Sequence, residues 1–342
     1  LRRKLHALTS ASSRLTARLR HMLHPDKMID HEWEKESAKW QRRRRDELAR
    51  DAKSRGEWKE AMSSDPKSHL FPPDPKRLTN SQSYMYRELS DIDNGGKWSD
   101  GDWRKLVPEF GMNVASCFRD GAVRYWRHKR PKLLSEGGDD GKYPFSSLFG
   151  LFGLTVESVE KSGWADDLTE DEAQTAASYA LQELNGFPLW LPALYIAHPH
   201  AVIEVLTQEL DYELSSSRPD RESHYVSDDL ISSAEWLWDA VAPWLLGRLM
   251  HPPSNLRLLQ DALAIVQGSS LSGEELAQLA SRKAKSTRGI ESSAVWFAMW
   301  IGVAPEPAIP ALAARLAELG SDEARTELSM RVAVSLVGSR HR

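Results

Sequence analysis

Apolar residues recur at helical spacing in segment after segment of this 342-residue chain, and no stretch alternates between apolar and polar residues over six positions. A half-buried strand requires such alternation, whereas spacings of three and four residues place side chains on one face of a helix. Capping boxes, which mark helix starts, occur at Thr169-x-x-Glu172 and Ser272-x-x-Glu275. The sequence therefore predicts an all-α protein, with an irregular α-solenoid of stacked helix pairs over residues 165–342.

The first 62 residues differ from the rest of the chain in charge and in periodicity. Residues 1–60 carry 17 lysines and arginines against 10 aspartates and glutamates, although the whole chain has a net charge of −4. Within residues 1–23, apolar side chains recur about every 3.5 residues, which is the period of a coiled-coil seam. They are Leu1, Leu5, Leu8, Leu15, Leu19 and Met22. Pro25 interrupts this helix and a more polar helix follows, so we predict a basic helical hairpin over residues 1–62.

The leucine seam of residues 1–23 requires a partner, because a buried Leu side chain contributes about 1.5–3 kcal/mol relative to one left in water. The second helix offers an apolar stripe of Ile29, Trp33 and Trp40, which the seam would meet if the chain folds back at Pro25. A helix of a partner chain is the alternative. In both arrangements the cations of the two helices point outward.

Prolines and glycines set apart the regions that follow. Residues 63–83 contain four prolines and are predicted to be an irregular linker, because proline restricts its own backbone and that of the preceding residue. Residues 84–164 are predicted to be a helical segment with loops rich in Gly and Asp. Residues 135–142 are one such loop, and we expect them to be irregular.

Hydropathy and cysteine content restrict the cellular setting. No apolar run approaches the roughly 18–20 residues of a membrane-spanning helix. The single cysteine, Cys117, excludes an intramolecular disulfide and a cysteine-rich zinc site. We therefore predict a cytoplasmic protein without a membrane partner. Because the chain begins at Leu1 without a methionine, we expect it to be a portion of a longer protein.

Motifs for phosphate, metal and nucleophilic chemistry are all incomplete. The Gly-Lys pair at 141–142 is followed by Tyr143 instead of the Ser or Thr of a phosphate loop, and the HExxH-type start at His31 has Lys35 in place of the second histidine. Residues 91–102 are spaced like an EF-hand loop but end in Asp instead of Glu. The sequence therefore predicts no catalytic residue, no cofactor and no metal site.

The strongest signal for a binding surface lies on the second helix. It consists of Trp33, Trp40, Arg42, Arg43, Arg44 and Arg45. Acidic residues are interleaved with these cations at a spacing of four, which is typical of a solvated or protein-docking helix face. We therefore predict a protein partner, or the rest of a larger polypeptide, at this surface. Clustered cations beside aromatic rings also suit nucleic acid, so nucleic-acid binding by residues 1–60 is the alternative.

The C-terminal helical pair resembles a HEAT repeat. Residues 308–319 begin Ala-Ile-Pro-Ala-Leu, a short turn follows, and a second helix carries Arg331, Val332 and Ala333. The resemblance covers residues 308–337 and implies that the solenoid is HEAT-like.

A longer resemblance concerns residues 70–215. The phrases at 103–111 (WRKLVPEFG) and 183–191 (ELNGFPLWL), followed by His198-Pro199, resemble the helical regions of very large bacterial NTPases of the NACHT or STAND type. The resemblance implies a non-catalytic interaction, sensor or scaffold segment of such an NTPase, and several of these proteins act in antiphage defence. The nucleotide-binding motifs of that family do not occur here, which implies an NTPase domain outside this segment.

Overall fold

The computed structural model describes residues 25–93, 101–139, 144–184, 186–221 and 224–338. Sixteen α-helices and two 3-10 helices (Trp103–Leu106 and Glu235–Leu237), with no strand, make up the regular structure of these residues. The α-helices are α1 (Pro25–Ser64), α2 (Pro66–Leu70), α3 (Asn80–Asp93), α4 (Val107–Phe110), α5 (Met112–His128), α6 (Phe145–Glu160), α7 (Glu170–Ala180), α8 (Leu191–Ala197), α9 (Pro199–Ser216), α10 (Tyr225–Ser233), α11 (Trp238–Arg248), α12 (Leu256–Gly268), α13 (Gly273–Ser286), α14 (Ile290–Val303), α15 (Pro305–Glu318) and α16 (Asp322–Gly338). The predicted all-α class is confirmed for this part of the chain.

The chain divides into two compact units, one that ends at Asp65 and one that begins at Pro66. The described part of the first unit is α1, a single helix of 40 residues. At 1.5 Å per residue, such a helix is about 60 Å long. The first arm of the predicted hairpin, with its leucine seam, lies outside the described residues.

The proline-rich segment is more helical than its composition suggests. α1 continues to Ser64, Pro66 opens α2 and α3 begins at Asn80, so the prediction of an irregular linker over 63–83 is wrong for these parts. Proline is tolerated in the first turn of a helix because its missing N–H would have no intrahelical partner there. Between α2 and α3 the chain is irregular, as predicted. The described part of the predicted loop at 135–142 is also irregular.

Helices α5 and α6 cross at very short distance in the second unit. A Cβ atom placed on Gly153 of α6 would lie 2.1 Å from the carbonyl oxygen of Ala122 in α5. This close approach brings together the buried rings of Phe118, Phe149 and Phe152, with 5.5 Å between the ring centroids of Phe118 and Phe152. Glycine at 153 therefore sets the distance between the two helices.

A buried polar network ties α5, α6 and α7 together. Glu157 of α6 accepts a 2.9 Å hydrogen bond from the indole N–H of Trp126 and pairs with the guanidinium of Arg127. Arg127 also donates to Glu172, with 2.6 Å between Nη1 and Oε1. Glu172 closes the predicted capping box with Thr169 at the start of α7. These groups stabilise the fold because each buried charge has a hydrogen-bonded counter-ion.

Helices of the second unit pack mainly on helices one or two places away in the chain. α5 packs on α6, α7 on α9, α11 on α12 and α13 on α14. The pair that resembles a HEAT repeat forms as α15 and α16, but α16 packs mainly on α14 and only lightly on α15. None of the described helices combines the length and the apolar character needed to cross a membrane.

Candidate interaction surface and acidic cavity

The sequence-predicted binding residues all lie exposed on α1. Trp33, Trp40 and Leu48 have 70%, 59% and 61% of their surface exposed. Since 3.6 residues complete one helical turn, these three side chains fall within an arc of about 80° on one side of α1. We call them the tryptophan stripe. Large apolar side chains aligned on one side of a helix are the pattern of a helix that packs on another helix.

The four consecutive arginines do not form a single patch. Each residue rotates by about 100° around the axis, so Arg42, Arg43, Arg44 and Arg45 point in four different directions. Arg44 alone falls within the arc of the tryptophan stripe, and its guanidinium lies 5.1 Å from the ring centroid of Trp40. The sequence brings these cations together along the chain, but the helix distributes them around its circumference.

The side of α1 opposite the tryptophan stripe is basic. Helical geometry places Lys35, Lys39, Arg42 and Lys53 there, with Asp46 among them. We call these four cations the basic face. All four are exposed, and Lys53 lies 3.7 Å from Glu57, one turn further along the helix. The aromatic groups and most of the cations therefore occupy opposite sides of α1.

A cavity of about 290 Å³ lies in the second unit, between α7, α9, α10 and the loop that follows α5. Its walls include the apolar side chains of Leu134, Leu181 and Val226. Lys132 and Asp139, which also line it, are exposed, so the cavity opens to solvent. We call it the acidic cavity because two buried glutamates of α9, Glu209 and Glu213, line it.

Glu209 holds the loop that follows α5. Its side chain is only 4% exposed, and its two carboxylate oxygens each accept a 3.1 Å hydrogen bond from a backbone N–H, at Leu134 and Ser135. Gln208, the neighbouring residue of α9, donates to the hydroxyl of Ser135 at 2.7 Å. The wall of the acidic cavity on this side is thus anchored to α9 through one carboxylate.

Glu213, one turn further along α9, holds the start of α10 in the same way. It is 7% exposed and accepts backbone hydrogen bonds from Val226 at 2.9 Å and Ser227 at 3.1 Å. Burial raises the pKa of Glu213 to about 7, and the neighbouring carboxylate of Asp228 acts in the same direction, while the backbone N–H groups act against it. Near neutral pH this carboxyl group is therefore divided between its protonated and ionised forms.

We expect the stability of the protein to fall as the pH rises from about 4.5 to about 7 because of Glu213. The folded state keeps a proton on this group that the unfolded chain releases near the ordinary pKa of 4.5. The stabilisation is present in full below pH 4.5 and is lost as the pH passes the folded pKa, a change of about 3 kcal/mol. Urea unfolding at pH 5, 6, 7 and 8 measures it.

The Glu213→Gln variant should lack this part of the pH dependence, and Glu204→Gln, an exposed change on the same helix, should keep it. His224 acts in the opposite sense, since burial lowers its pKa, but it is present in all three proteins. An unchanged pH slope in Glu213→Gln would show that the proton is held elsewhere.

Sequence patterns did not identify Glu209 and Glu213. Both lie on the apolar side of α9, beside Leu206 and Leu210, and this interruption of an apolar face by two carboxylates one turn apart is the signal that would have identified them. The EF-hand-like segment instead supplies a helix cap, since Asp102 accepts from the N–H of Arg104. No group of three or more His, Cys, Asp or Glu side chains among the described residues could hold a metal ion.

Comparisons of this chain with models of protein families, with curated proteins and with solved structures found no match.

Proposed function

We propose that this chain is a non-catalytic interaction and scaffold segment of a larger protein, in which α1 pairs with another helix through the tryptophan stripe. The resemblance of residues 70–215 to NACHT- and STAND-type NTPases supports placing it in a bacterial NTPase of that kind, with a sensor or scaffold role in antiphage defence. In this proposal the NTPase chemistry belongs to a domain outside the segment.

The observation that carries the proposal is the exposure of the tryptophan stripe. Two Trp side chains and one Leu stand more than half exposed along a helix most of whose other positions are polar. Trp is enriched at the energetic centres of protein interfaces because it buries a large area with little loss of conformational freedom. The spacing of about seven residues from Trp33 to Trp40 suits a partner helix with a heptad seam.

The chain itself contains such a seam in residues 1–23, outside the described residues. If the chain reverses near Pro25, Leu15 comes opposite Trp33 and Leu8 opposite Trp40. Charge supports this pairing, since Arg14 and Arg18 of the seam segment would approach the acidic residues at positions 32, 34 and 36. We propose that the partner of α1 is this leucine-bearing segment, from the same chain or from a second copy.

The order of packing in the second unit supports a scaffold role. Most helices there pack on a helix one or two places away in the chain, and in an α-solenoid stability is likewise a sum over such near neighbours. We propose that these helices form an irregular, HEAT-like solenoid.

The alternative function, nucleic-acid binding, needs aromatic rings and cations on one surface, so that bases stack while phosphates are neutralised. On α1 the tryptophan stripe and the basic face lie on opposite sides. We therefore expect the dissociation constant for a fluorescein-labelled 20-nucleotide single strand or 20-base-pair duplex to exceed about 100 μM at 150 mM salt. Such an affinity is weaker than typical non-specific binding. Fluorescence anisotropy measures it.

The control variant is Arg42→Gln with Arg45→Gln, which removes one arginine of the basic face and one that points about 100° away from the centre of the tryptophan stripe. A dissociation constant near 1 μM that weakens steeply with salt and is lost in this variant would favour nucleic acid over the proposed helix pairing. A flat anisotropy signal in both proteins is the result that agrees with helix pairing.

A further inference from the structure

We propose that the acidic cavity binds a small organic molecule that carries a protonated amine on an apolar body. This proposal is independent of the helix pairing proposed for α1. It rests on the cavity and on two features of its lining, namely the apolar walls and two buried glutamates that have no ion-pair partner among the described residues.

Neither Glu209 nor Glu213 forms an ion pair with a cation among the described residues, and Lys132 at the mouth of the cavity is exposed. Buried carboxylates in proteins are ordinarily paired with a cation or a metal, because a buried charge without a counter-charge is costly. Here two of them face a space that opens to solvent. A cationic ligand would supply the missing counter-charge.

The hydrogen bonds of the two carboxylates leave room for such a ligand. A carboxylate offers about four acceptor positions. Glu209 accepts from the N–H groups of Leu134 and Ser135, with Ser135 near both oxygens, and Glu213 accepts from those of Tyr225, Val226 and Ser227, so each keeps at least one position. Side chains four residues apart on a helix lie about 5–6 Å from each other at their Cβ atoms. A primary ammonium group, with three N–H donors, can therefore donate to Glu209 and Glu213 together.

The rest of the lining limits the ligand to an apolar body of modest size. Leu134, Leu181 and Val226 present hydrocarbon to the cavity, and Tyr225 also lines it. A volume of about 290 Å³ lies just below the usual range for small-molecule sites and suits a ligand on the order of ten non-hydrogen atoms. An anion would be repelled by the two glutamates. Phenethylamine and tryptamine are suitable probes.

Ligand binding should be linked to the proton on Glu213. The ammonium group favours the ionised carboxylate, so the complex forms with release of a proton when the free protein holds one. The titratable groups around Glu213 are Glu209 on the same helix, His224, Tyr225 and Asp228 at the start of α10, and Lys132 and Asp139 on the loop. We expect the affinity for phenethylamine to be about tenfold lower at pH 6 than at pH 8.

Isothermal titration calorimetry of the full chain tests the proposal. Phenethylamine or tryptamine should bind with a sub-millimolar dissociation constant at pH 8, while the neutral isostere 2-phenylethanol and the anion 3-phenylpropionate should bind at least about tenfold more weakly. In buffers of different ionisation enthalpy near pH 6.5, proton release should accompany amine binding. Glu213→Gln should lower the affinity at least about tenfold and abolish the proton release, and Glu204→Gln should change neither.

Leu181→Trp fills the cavity from a half-buried position, and it should abolish amine binding even if Glu213→Gln proves too unstable to titrate. The proposal is overturned if neither amine binds below about 1 mM, if the neutral isostere binds equally well, or if Leu181→Trp leaves the affinity unchanged. Failure of these tests would leave the pairing of α1 untouched, because the cavity lies wholly in the second unit.

Discussion

Replacing Gly153 with alanine should lower the free energy of unfolding of the second unit by about 3 kcal/mol, at the upper end of the usual cost of overpacking. The new Cβ atom would lie 2.1 Å from the carbonyl oxygen of Ala122. That oxygen belongs to the backbone of α5, so the clash can be relieved only if α5 and α6 move apart. Such a movement would also separate Phe118 from Phe149 and Phe152.

The matched control is Gly247→Ala in α11, where an added Cβ would have no neighbour within 4 Å. This change should be neutral or stabilise the protein by up to about 1 kcal/mol, because alanine is a better helix former than glycine. Urea unfolding followed by circular dichroism measures both variants. If Gly153→Ala lies within about 0.5 kcal/mol of the wild type, α5 and α6 are not as close as the structure places them.

The second large effect is expected at the leucine seam. Leu8→Glu with Leu15→Glu should destabilise the proposed pairing of residues 1–23 with α1 by several kcal/mol. Each lost Leu burial costs about 1.5–3 kcal/mol. Each new carboxylate adds to this, because it must either be buried at a cost or break the contact between the two helices to reach water. Light scattering then reports whether the partner was a second copy, since the mass falls in that case only. Arg42→Gln with Arg45→Gln should change neither stability nor mass.

The helices themselves were within reach of sequence reasoning because their signals are local. The capping box at Thr169 and Glu172 satisfies backbone N–H groups through residues three positions apart, and it forms as predicted. Pro66 shows the limit of the same reasoning. A proline excludes a helix interior, but the sequence does not say that the helix begins there, which depends on how the neighbouring elements pack.

The acidic cavity could not be predicted from the sequence, because it is formed by contacts between residues far apart in the chain. Glu213 meets the backbone of Val226 and Ser227 across 13 and 14 positions of the chain, and Glu209 meets Leu134 across 75. The packing of α9 with its neighbours determines which backbone N–H groups donate to each buried carboxylate. The exposed residues of α1 were easier to find, because large apolar side chains stand out in a mostly polar helix.

If the leucine seam covers the tryptophan stripe of α1, as we propose, hydrogen exchange of α1 should follow a specific pattern. The decisive proteins are the wild type, Leu8→Glu with Leu15→Glu, Trp33→Gln with Trp40→Gln, and the combination of both pairs. Glutamine is a better helix former than tryptophan, so a loss of protection in the tryptophan variant cannot come from helix propensity.

Hydrogen–deuterium exchange of the backbone amides of residues 33–48, read by mass spectrometry, is the direct measurement. We expect protected amides in the wild type and exchange at least about tenfold faster in each double variant. The combined variant should show no further acceleration, because both pairs of substitutions disrupt one interface. Arg42→Gln with Arg45→Gln should exchange like the wild type. Equal exchange rates in all of these proteins would contradict the pairing of α1 with the leucine seam.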